Sequence, residues 1–268
     1  MRPWKVFPLA ILAVASIAAA QTDPAPPPAG ELARIDLAKP FAARSPWRFT
    51  ATQGPPVTDY GDNPAPGAIE LCLRKSAAGP CLAAPVSALR MVDGKPDLDW
   101  GPHYLQTVGP VYPNSKGALP LLRIVTASLH AGDGGQLIAT QLLKYDAAKD
   151  AFERIYFHLT GTNNNEEVRF VSSGPLQGAV IEAEPTPNAP FGYWITVSRL
   201  TPERTYRQAL RYRSATRYGD GNPLAVIDSE MPAIQQRLGL WKPGAPLPTP
   251  PGRPCPKPVL KQGALWCG

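Results

Sequence analysis

LLRIVTASLHAGDGGQLIATQLLKY, residues 121–145, is the stretch that decides the fold. Its first part, 121–129, is rich in β-branched and apolar residues, and its last part, 136–145, has the same character. Between them, residues 132–135 (GDGG) supply the backbone freedom that a tight turn needs. Two such segments joined by a glycine-rich turn predict an antiparallel β-hairpin.

The alternation of strands and turns continues on both sides of this hairpin. Loops at 146–150 and 161–165 flank an alternating segment at 152–159. Turns recur every ~8–14 residues and no long segment has a 3.6-residue period, so the sequence predicts an all-β fold of antiparallel sheets, sandwich-like in arrangement. A small or partial β-propeller is the alternative, which the lack of an internal sequence repeat disfavours. Other predicted strands are 47–52, 68–74, 167–172, 178–183, 192–200 and 205–213.

One short helix is predicted near 230–239, with helical residues from Pro232 to Leu238. Proline is favoured in the first turn of a helix, and Gly239 can end this one. Ser229 or a neighbour is expected to cap the N-terminus. No other segment predicts a helix.

Proline is abundant, with 34 among 268 residues, and it is concentrated near the chain ends. Residues 22–30 and 243–258 are predicted to be extended and without a core of their own, because proline fixes the backbone and lacks an N–H donor. The predicted organisation is a signal peptide at 1–20, a Pro-rich linker at 21–44, a single β-rich domain at 45–242 and a Pro-rich, disulfide-closed tail at 243–268.

Residues 1–20 have the pattern of a cleavable secretory signal peptide. A positively charged start is followed by an uncharged run, 6–20, which ends in Ala18-Ala19-Ala20. The run is shorter than the ~20 residues of a spanning helix, so an uncleaved membrane anchor is the less favoured interpretation. We expect a periplasmic or secreted protein, cleaved near Gln21 and without a transmembrane anchor after cleavage. The leader and the alanine-, proline- and arginine-rich composition resemble exported bacterial proteins, a resemblance that implies no activity.

Four cysteines follow the leader, in two pairs that are close in sequence. Cys72 and Cys81 enclose a turn-forming segment, and Cys255 and Cys267 bracket the tail. An even number of cysteines in an oxidising compartment predicts disulfides, and pairing of nearest neighbours gives Cys72–Cys81 and Cys255–Cys267. A metal site is disfavoured because the sequence contains no Cys-x-x-Cys.

Charge and motif content argue against several classes of function. The net charge is +6, and loss of Arg2 and Lys5 with the leader would leave 25 basic against 21 acidic residues, a mild +4 that does not indicate nucleic-acid binding. The sequence lacks the motifs of dinucleotide-binding folds, phosphate-binding loops, zinc peptidases and serine hydrolases. We therefore expect no cofactor, with calcium left open, and the balance favours a non-enzymatic protein.

Two glycine-flanked acidic turns are candidate calcium sites. One contains Asp133, and the other contains Asp220 and Asn222. Side-chain oxygens on flexible loops suit Ca²⁺, which takes ~6–8 oxygen ligands. The favoured interpretation is simpler, because Gly, Asp and Asn are also the residues that tight turns require.

The same turns supply the candidates for catalysis. A hydrolase would use His130 as a general base, oriented by Asp133 or Asp220. Carboxylates of the segment 219–230 are the other possibility, and Asp228 stands there just before the predicted helix. A hydrolase acting on envelope material is therefore the alternative function.

Arginines repeat through residues 206–217 and form the strongest candidate for a binding surface. Regular alternation along a strand would place them on one face, where guanidinium groups hold carboxylates or phosphates bidentately. This favours a binding domain for an anionic glycan, an envelope component or a protein. For the row taken alone, the favoured interpretation is internal pairing with Glu182 and Glu184 on a neighbouring strand. The members of the predicted row are Arg207, Arg211, Arg213 and Arg217.

Overall fold

The structure is a computed structural model that describes residues 29–87, 90–92, 95–97, 101–114, 119–132, 134–188, 191–251 and 254–267, with backbone alone at 84, 90–92 and 95–97. Strands make up 46% of it, in several antiparallel sheets with two short helices, and the described residues form no closed barrel. The prediction of an all-β, antiparallel, sandwich-like fold is confirmed. The predicted signal peptide and Asp133 lie outside the described residues.

The strands are numbered in chain order. They are β1 (Gly30–Asp36), β2 (Arg48–Gln53), β3 (Val57–Thr58), β4 (Pro64–Ala65), β5 (Ile69–Arg74), β6 (Arg90–Val92), β7 (Lys95–Asp97), β8 (Tyr104–Val111), β9 (Leu121–Ala127), β10 (Leu137–Asp146), β11 (Ala151–Gly161), β12 (Glu167–Phe170), β13 (Val180–Pro185), β14 (Gly192–Leu200), β15 (Tyr206–Arg217), β16 (Pro258–Lys261) and β17 (Ala264–Cys267). The helices are α1 (Ala38–Phe41) and α2 (Val226–Arg237), and 3-10 turns occupy Ala84–Val86 and Asn163–Asn165.

Three larger sheets form successive layers, with strand orders β1-β2-β5, β11-β10-β9-β8 and β12-β13-β14-β15. The main core lies between the first and second sheets, where Phe49 and Leu143 are fully buried. A smaller core between the second and third sheets contains Leu142 and Val180. Helix α2 covers the outer face of the third sheet through residues such as Ile234. Burial of the apolar positions of each strand holds the layers together.

The hairpin predicted from residues 121–145 forms the centre of the second sheet. Strands β9 and β10 pair antiparallel, with Ala127 opposite Ile138 and Leu122 opposite Leu143. Leu142 and Leu143 are adjacent in β10, so their side chains point to opposite faces of the sheet and enter different cores. One strand pair therefore contributes to both neighbouring cores.

Helix α2 begins earlier than predicted, at Val226 rather than at Pro232. Ser229 lies inside the helix instead of capping it, and its Oγ hydrogen bonds to the carbonyl oxygen of Ala225 at 3.1 Å. The sequence pattern placed the start at Pro232 because proline is favoured in a first helical turn. Burial of Val226 and Ile227 against the third sheet extends the helix through the proline instead. The second helix, α1, was not predicted.

Both predicted Pro-rich segments contain strands. Within the predicted linker 21–44, β1 pairs with β2 from Gly30 onward, and its mostly exposed side chains explain the lack of an apolar alternation. In the tail, β16 and β17 form a hairpin in which Leu265 is fully buried. The amide of Asn222 donates to the carbonyl oxygen of Leu265 at 2.9 Å, which joins the tail to the loop before α2.

Both predicted disulfides are present. Cys72–Cys81 joins Cα atoms 5.3 Å apart at the end of β5. Cys255–Cys267 joins Cα atoms 4.9 Å apart and closes the tail. No helix within the described parts of the chain is long and apolar enough to cross a membrane.

Candidate functional site

Strand β15 is an outer edge of the third sheet, and irregular pairing with β14 decides where its arginines point. Val197 pairs with Leu210, but the next residue, Ser198, pairs with Gln208. Ala209 is therefore the extra residue of a β-bulge. Because one residue is inserted, side chains before and after the bulge alternate out of phase.

The prediction that Arg207 shares a face with Arg211 and Arg213 is wrong for this reason. Arg207 lies on the α2 side of the sheet, whereas Arg211 and Arg213 lie on the side of the second sheet. The packed residues reverse in the same way, because Tyr206 enters the core between the sheets and Tyr212 packs toward α2. A sequence pattern that does not include the bulge assigns every β15 residue to a face of the sheet by simple alternation.

Arg211, Arg213, Arg217 and Trp194 form an exposed surface that we call the basic strip. Arg213 pairs with Trp194 across β14 and β15. The guanidinium carbon of Arg211 lies 5.0 Å from the centroid of the Trp194 ring, which is a cation–π contact. None of these three arginines forms an ion pair or a side-chain hydrogen bond with another of the described residues.

Glu182 and Glu184 do not neutralise the basic strip, so the internal pairing favoured from the sequence is wrong. Both belong to β13, and β14 separates β13 from β15. Glu182 pairs with Thr196 and Glu184 with Trp194, so the glutamates and arginines occupy opposite ends of the same cross-strand rows. Two strand spacings put their backbones about 10 Å apart.

The basic strip borders a surface hollow beside the tail hairpin. Its volume is about 380 Å³, and Arg213, Arg217, Ser214 and Gln262 are among the residues that line it. Arginine offers only hydrogen-bond donors, so the two guanidinium groups favour an anionic occupant.

At the other end of these rows, the carboxylates meet His158 of β11. His158 Nδ1 lies 4.0 Å from Glu182 Oε1, and Nε2 lies 3.8 Å from Glu184 Oε1 and 3.8 Å from Glu166 Oε1. Tyr156 Oη donates to Glu182 Oε1 at 2.8 Å, and its ring stacks on that of His158. We call His158, Glu166, Glu182 and Glu184 the His158 cluster.

The negative charge of the cluster changes the protonation of its neighbours. Glu166 is the largest cause of a raised pKa at His158, Glu182 and Glu184 add to it, and burial opposes it. Burial and the adjacent Glu182 carboxylate raise the pKa of Tyr156, so its hydroxyl stays a donor. The carboxylates of the His158 cluster therefore favour a positively charged group among them.

Asp220 and Asn222 act as acceptors in their own turn. Asp220 Oδ2 accepts from the amide of Arg217 at 3.1 Å, and Oδ1 accepts from the amide of Asn222 at 2.8 Å. Asn222 Oδ1 accepts from the amide of Leu224 at 3.1 Å. These bonds are those that Asp and Asn provide in tight turns.

Asp228 is buried in the first turn of α2, where Arg169 of β12 donates to it. Arg169 Nε also donates to Glu167 Oε1 at 3.0 Å. Glu167 Oε2 in turn accepts from the amide of Ile227 at 3.2 Å. This network ties the N-terminus of α2 to the sheet and places Asp228 away from solvent.

His130 is exposed and lies apart from these carboxylates. Its Nδ1 is 3.1 Å from the carbonyl oxygen of Gly134, and its ring meets that of Tyr104 edge-on at 6.3 Å. In the described part of the chain, no hydrogen bond or ion pair joins His130 to Asp220 or Asp228. The contacts therefore do not assemble the predicted catalytic group, whose member Asp133 lies outside the described residues.

Sequence reasoning missed Trp194 and the His158 cluster. The shared parity of Glu182 and Glu184 was visible in a predicted strand, as was the placement of His158 in another. The missing signal was the packing of β11 against β13, which joins residues that are distant along the chain.

Comparisons with known proteins add no relative. No protein-family model, curated protein or solved structure matches the chain. The function therefore has to be argued from the basic strip and the His158 cluster.

Proposed function

We propose that this protein is a non-enzymatic binding domain for an anionic glycan of the bacterial envelope, held along the basic strip. The observation that carries the proposal is the exposure of Arg211, Arg213 and Arg217 without an ion pair to any described residue. Their donors remain available to a ligand, and charge-assisted bonds to carboxylate or phosphate are stronger than neutral ones.

The indole of Trp194 adds a flat apolar face to the charged groups of the basic strip, so the strip suits a sugar ring as well as an anion. Trp194 is 37% exposed, and it pairs directly with Arg213. A flat aromatic face packs against the apolar face of a sugar ring, while a neighbouring guanidinium binds the acidic substituent. The alternation of charge and indole suits a ligand with repeated acidic groups.

The location of the ligand is part of the same proposal. Two disulfides fit an oxidising compartment. Export by the predicted signal peptide, to the periplasm or beyond, would bring the basic strip to the acidic polymers of the envelope. Their repeating carboxylates or phosphates are the chemistry that we expect the strip to recognise.

The test is titration of the full mature chain with acidic polysaccharides and with neutral ones of similar length, by isothermal titration calorimetry. We expect binding of the acidic polymers alone, weakened by salt because the pairs are exposed. The double variant Arg211→Gln/Arg213→Gln should lose about one to two orders of magnitude in affinity, since two charge-assisted bonds are removed.

The matched control is Arg199→Gln/Arg207→Gln. These two arginines pair with each other on the α2 side of the same strands, so this variant removes the same charge from the opposite face. Equal losses in both double variants would mean that net charge alone attracts the polymer and would contradict the proposal. Release of new chain ends during the titration would instead favour a hydrolase.

A further inference from the structure

We propose a second site on this protein, at which His158, Glu182 and Glu184 bind a divalent cation of the zinc class. The site lies at the opposite end of the cross-strand rows from the basic strip. It does not depend on the proposed glycan binding.

The side chains are already close to the spacing of a metal site. One ligand atom from each of the three residues lies within 4.8 Å of the others. Tetrahedral coordination at the usual bond lengths requires ligand atoms about 3.3–3.6 Å apart. Rotation about the side-chain torsions of two glutamates closes a gap of this size without moving a strand.

Neighbouring groups hold the ligands in place. Tyr156 Oη donates to Glu182 Oε1 at 2.8 Å, and the amide of Gly161 donates to Glu166 Oε2 at 2.8 Å. Such outer hydrogen bonds orient the ligands of known metal sites. Among the described residues no Lys or Arg forms an ion pair with Glu166, Glu182 or Glu184, so His158 alone faces three carboxylates.

Thr160 provides an independent observation. It is 4% exposed, and its Oγ1 has no hydrogen-bond partner among the described residues. Thr160 follows His158 by two residues in β11, so both side chains lie on the face that meets the third sheet. The next residue along β11, Gly161, donates its amide to Glu166 Oε2 at 2.8 Å, so Thr160 is adjacent in sequence to a residue that contacts the cluster. A cation that retains a water molecule would give this hydroxyl the partner that a buried polar group requires.

The donor set selects among cations. One imidazole and two or three carboxylates match zinc, which accepts nitrogen and oxygen ligands in four-coordinate sites. Calcium prefers ~6–8 oxygen ligands and is poorly served by an imidazole. Glu166 Oε1 lies 3.8 Å from His158 Nε2 but is not part of the group of three whose ligand atoms are mutually close, so we expect water to complete the coordination.

The experiment is calorimetric titration of the tag-free mature protein with Zn²⁺ and, separately, with Ca²⁺. The described residues include no free cysteine that would compete for zinc. We expect one Zn²⁺ per chain, no comparable binding of Ca²⁺, and a rise in melting temperature with Zn²⁺. His158→Ala and Glu184→Gln should each weaken Zn²⁺ binding at least about tenfold.

His130→Ala is the matched control, because it removes an exposed histidine outside the cluster and should leave Zn²⁺ affinity unchanged. Glu184 is 37% exposed, so Glu184→Gln tests the site even if His158→Ala does not fold. Absence of Zn²⁺ binding at millimolar concentration would overturn the proposal. Zn²⁺ affinity that is lost in His130→Ala but kept in Glu184→Gln would overturn it as well.

Discussion

Removal of the Glu230 carboxylate should destabilise the whole third layer, because four hydrogen bonds converge on it. Glu230 is fully buried in α2. Its Oε1 accepts from the amide of Ala215 at 3.0 Å and from the amide and hydroxyl of Thr216 at 2.8 and 2.7 Å. Its Oε2 accepts from Tyr212 Oη at 2.9 Å. All four donors belong to β15, so this carboxylate fixes the edge strand to the helix.

The size of the effect follows from these bonds. In Glu230→Ala, two buried donors of Thr216 and two partly buried donors of Ala215 and Tyr212 lose their acceptor. At about 1 kcal/mol each, near the lower end of the cost of an orphaned group, the loss is about 4 kcal/mol. In Glu230→Gln, the amide oxygen can replace Oε1 and the amide nitrogen can donate to Tyr212 Oη. The charge assistance is lost and the Tyr212 hydroxyl proton loses its acceptor, which together should cost about 2 kcal/mol.

The assay is urea unfolding at neutral pH with both disulfides intact, followed by tryptophan fluorescence. Gln236→Ala is the control, because Gln236 is an exposed residue of the same helix. We expect the free energy of unfolding to fall in the order control, Glu230→Gln, Glu230→Ala. If the free energy of unfolding of Glu230→Ala lies within about 1 kcal/mol of that of the control, water replaces the lost bonds and the reasoning is refuted. Equal losses for Gln and Ala would refute the isosteric rescue.

Three further outcomes are expected. Asp150 has a lowered pKa, chiefly because the Ser45 hydroxyl donates to it. Its contribution to stability is therefore complete above pH ~4 and is lost as the pH falls further. Asp150→Asn should flatten the decline in melting temperature on acidification, whereas Asp62→Asn, at an exposed position, should not. Trp194→Leu should lower affinity for an acidic polysaccharide about tenfold in calorimetry, without the stability loss of a core mutation, because the indole contributes a stacking surface that is partly exposed. Replacing both cysteines of Cys255–Cys267 by serine should lower the free energy of unfolding in urea by about 3 kcal/mol, since the bridge closes a loop with a sequence separation of 12. Unfolding of the tail alone, without a change in the global transition, would contradict this.

The central hairpin was predictable because its signals are local. The apolar runs of β9 and β10 and the glycine turn between them each fix a backbone conformation independently of the rest of the chain. The disulfides were predictable for the same reason, because each pair is close in sequence. Strand β8 was not predicted, since Gly109 and Pro110 interrupt its pattern and none of its residues is fully buried.

The candidate sites depend on features that periodicity does not encode. Nothing in the sequence of β15 marks Ala209 as a bulge, so parity placed Arg207 on the wrong face. His158 and Glu182 meet only because two sheets stack, and an alternating pattern describes each strand but not its neighbour in the next layer. Asp228 was predicted to precede a helix and is instead inside one, because burial overrode the stop and start signals of Pro232.

The bulged edge of β15 also has a consequence for solubility. A twelve-residue edge strand presents backbone donors and acceptors that invite pairing with another chain, except where the amides of Ala215 and Thr216 donate to Glu230. The bulge interrupts this edge, and arginines project on both sides of it, so a second strand meets both a broken hydrogen-bond ladder and repelling charge. Neutralising these arginines should therefore promote self-association as well as weaken ligand binding. A bound polyanion would screen the same charge, which leaves the bulge as the protection that persists in the complex.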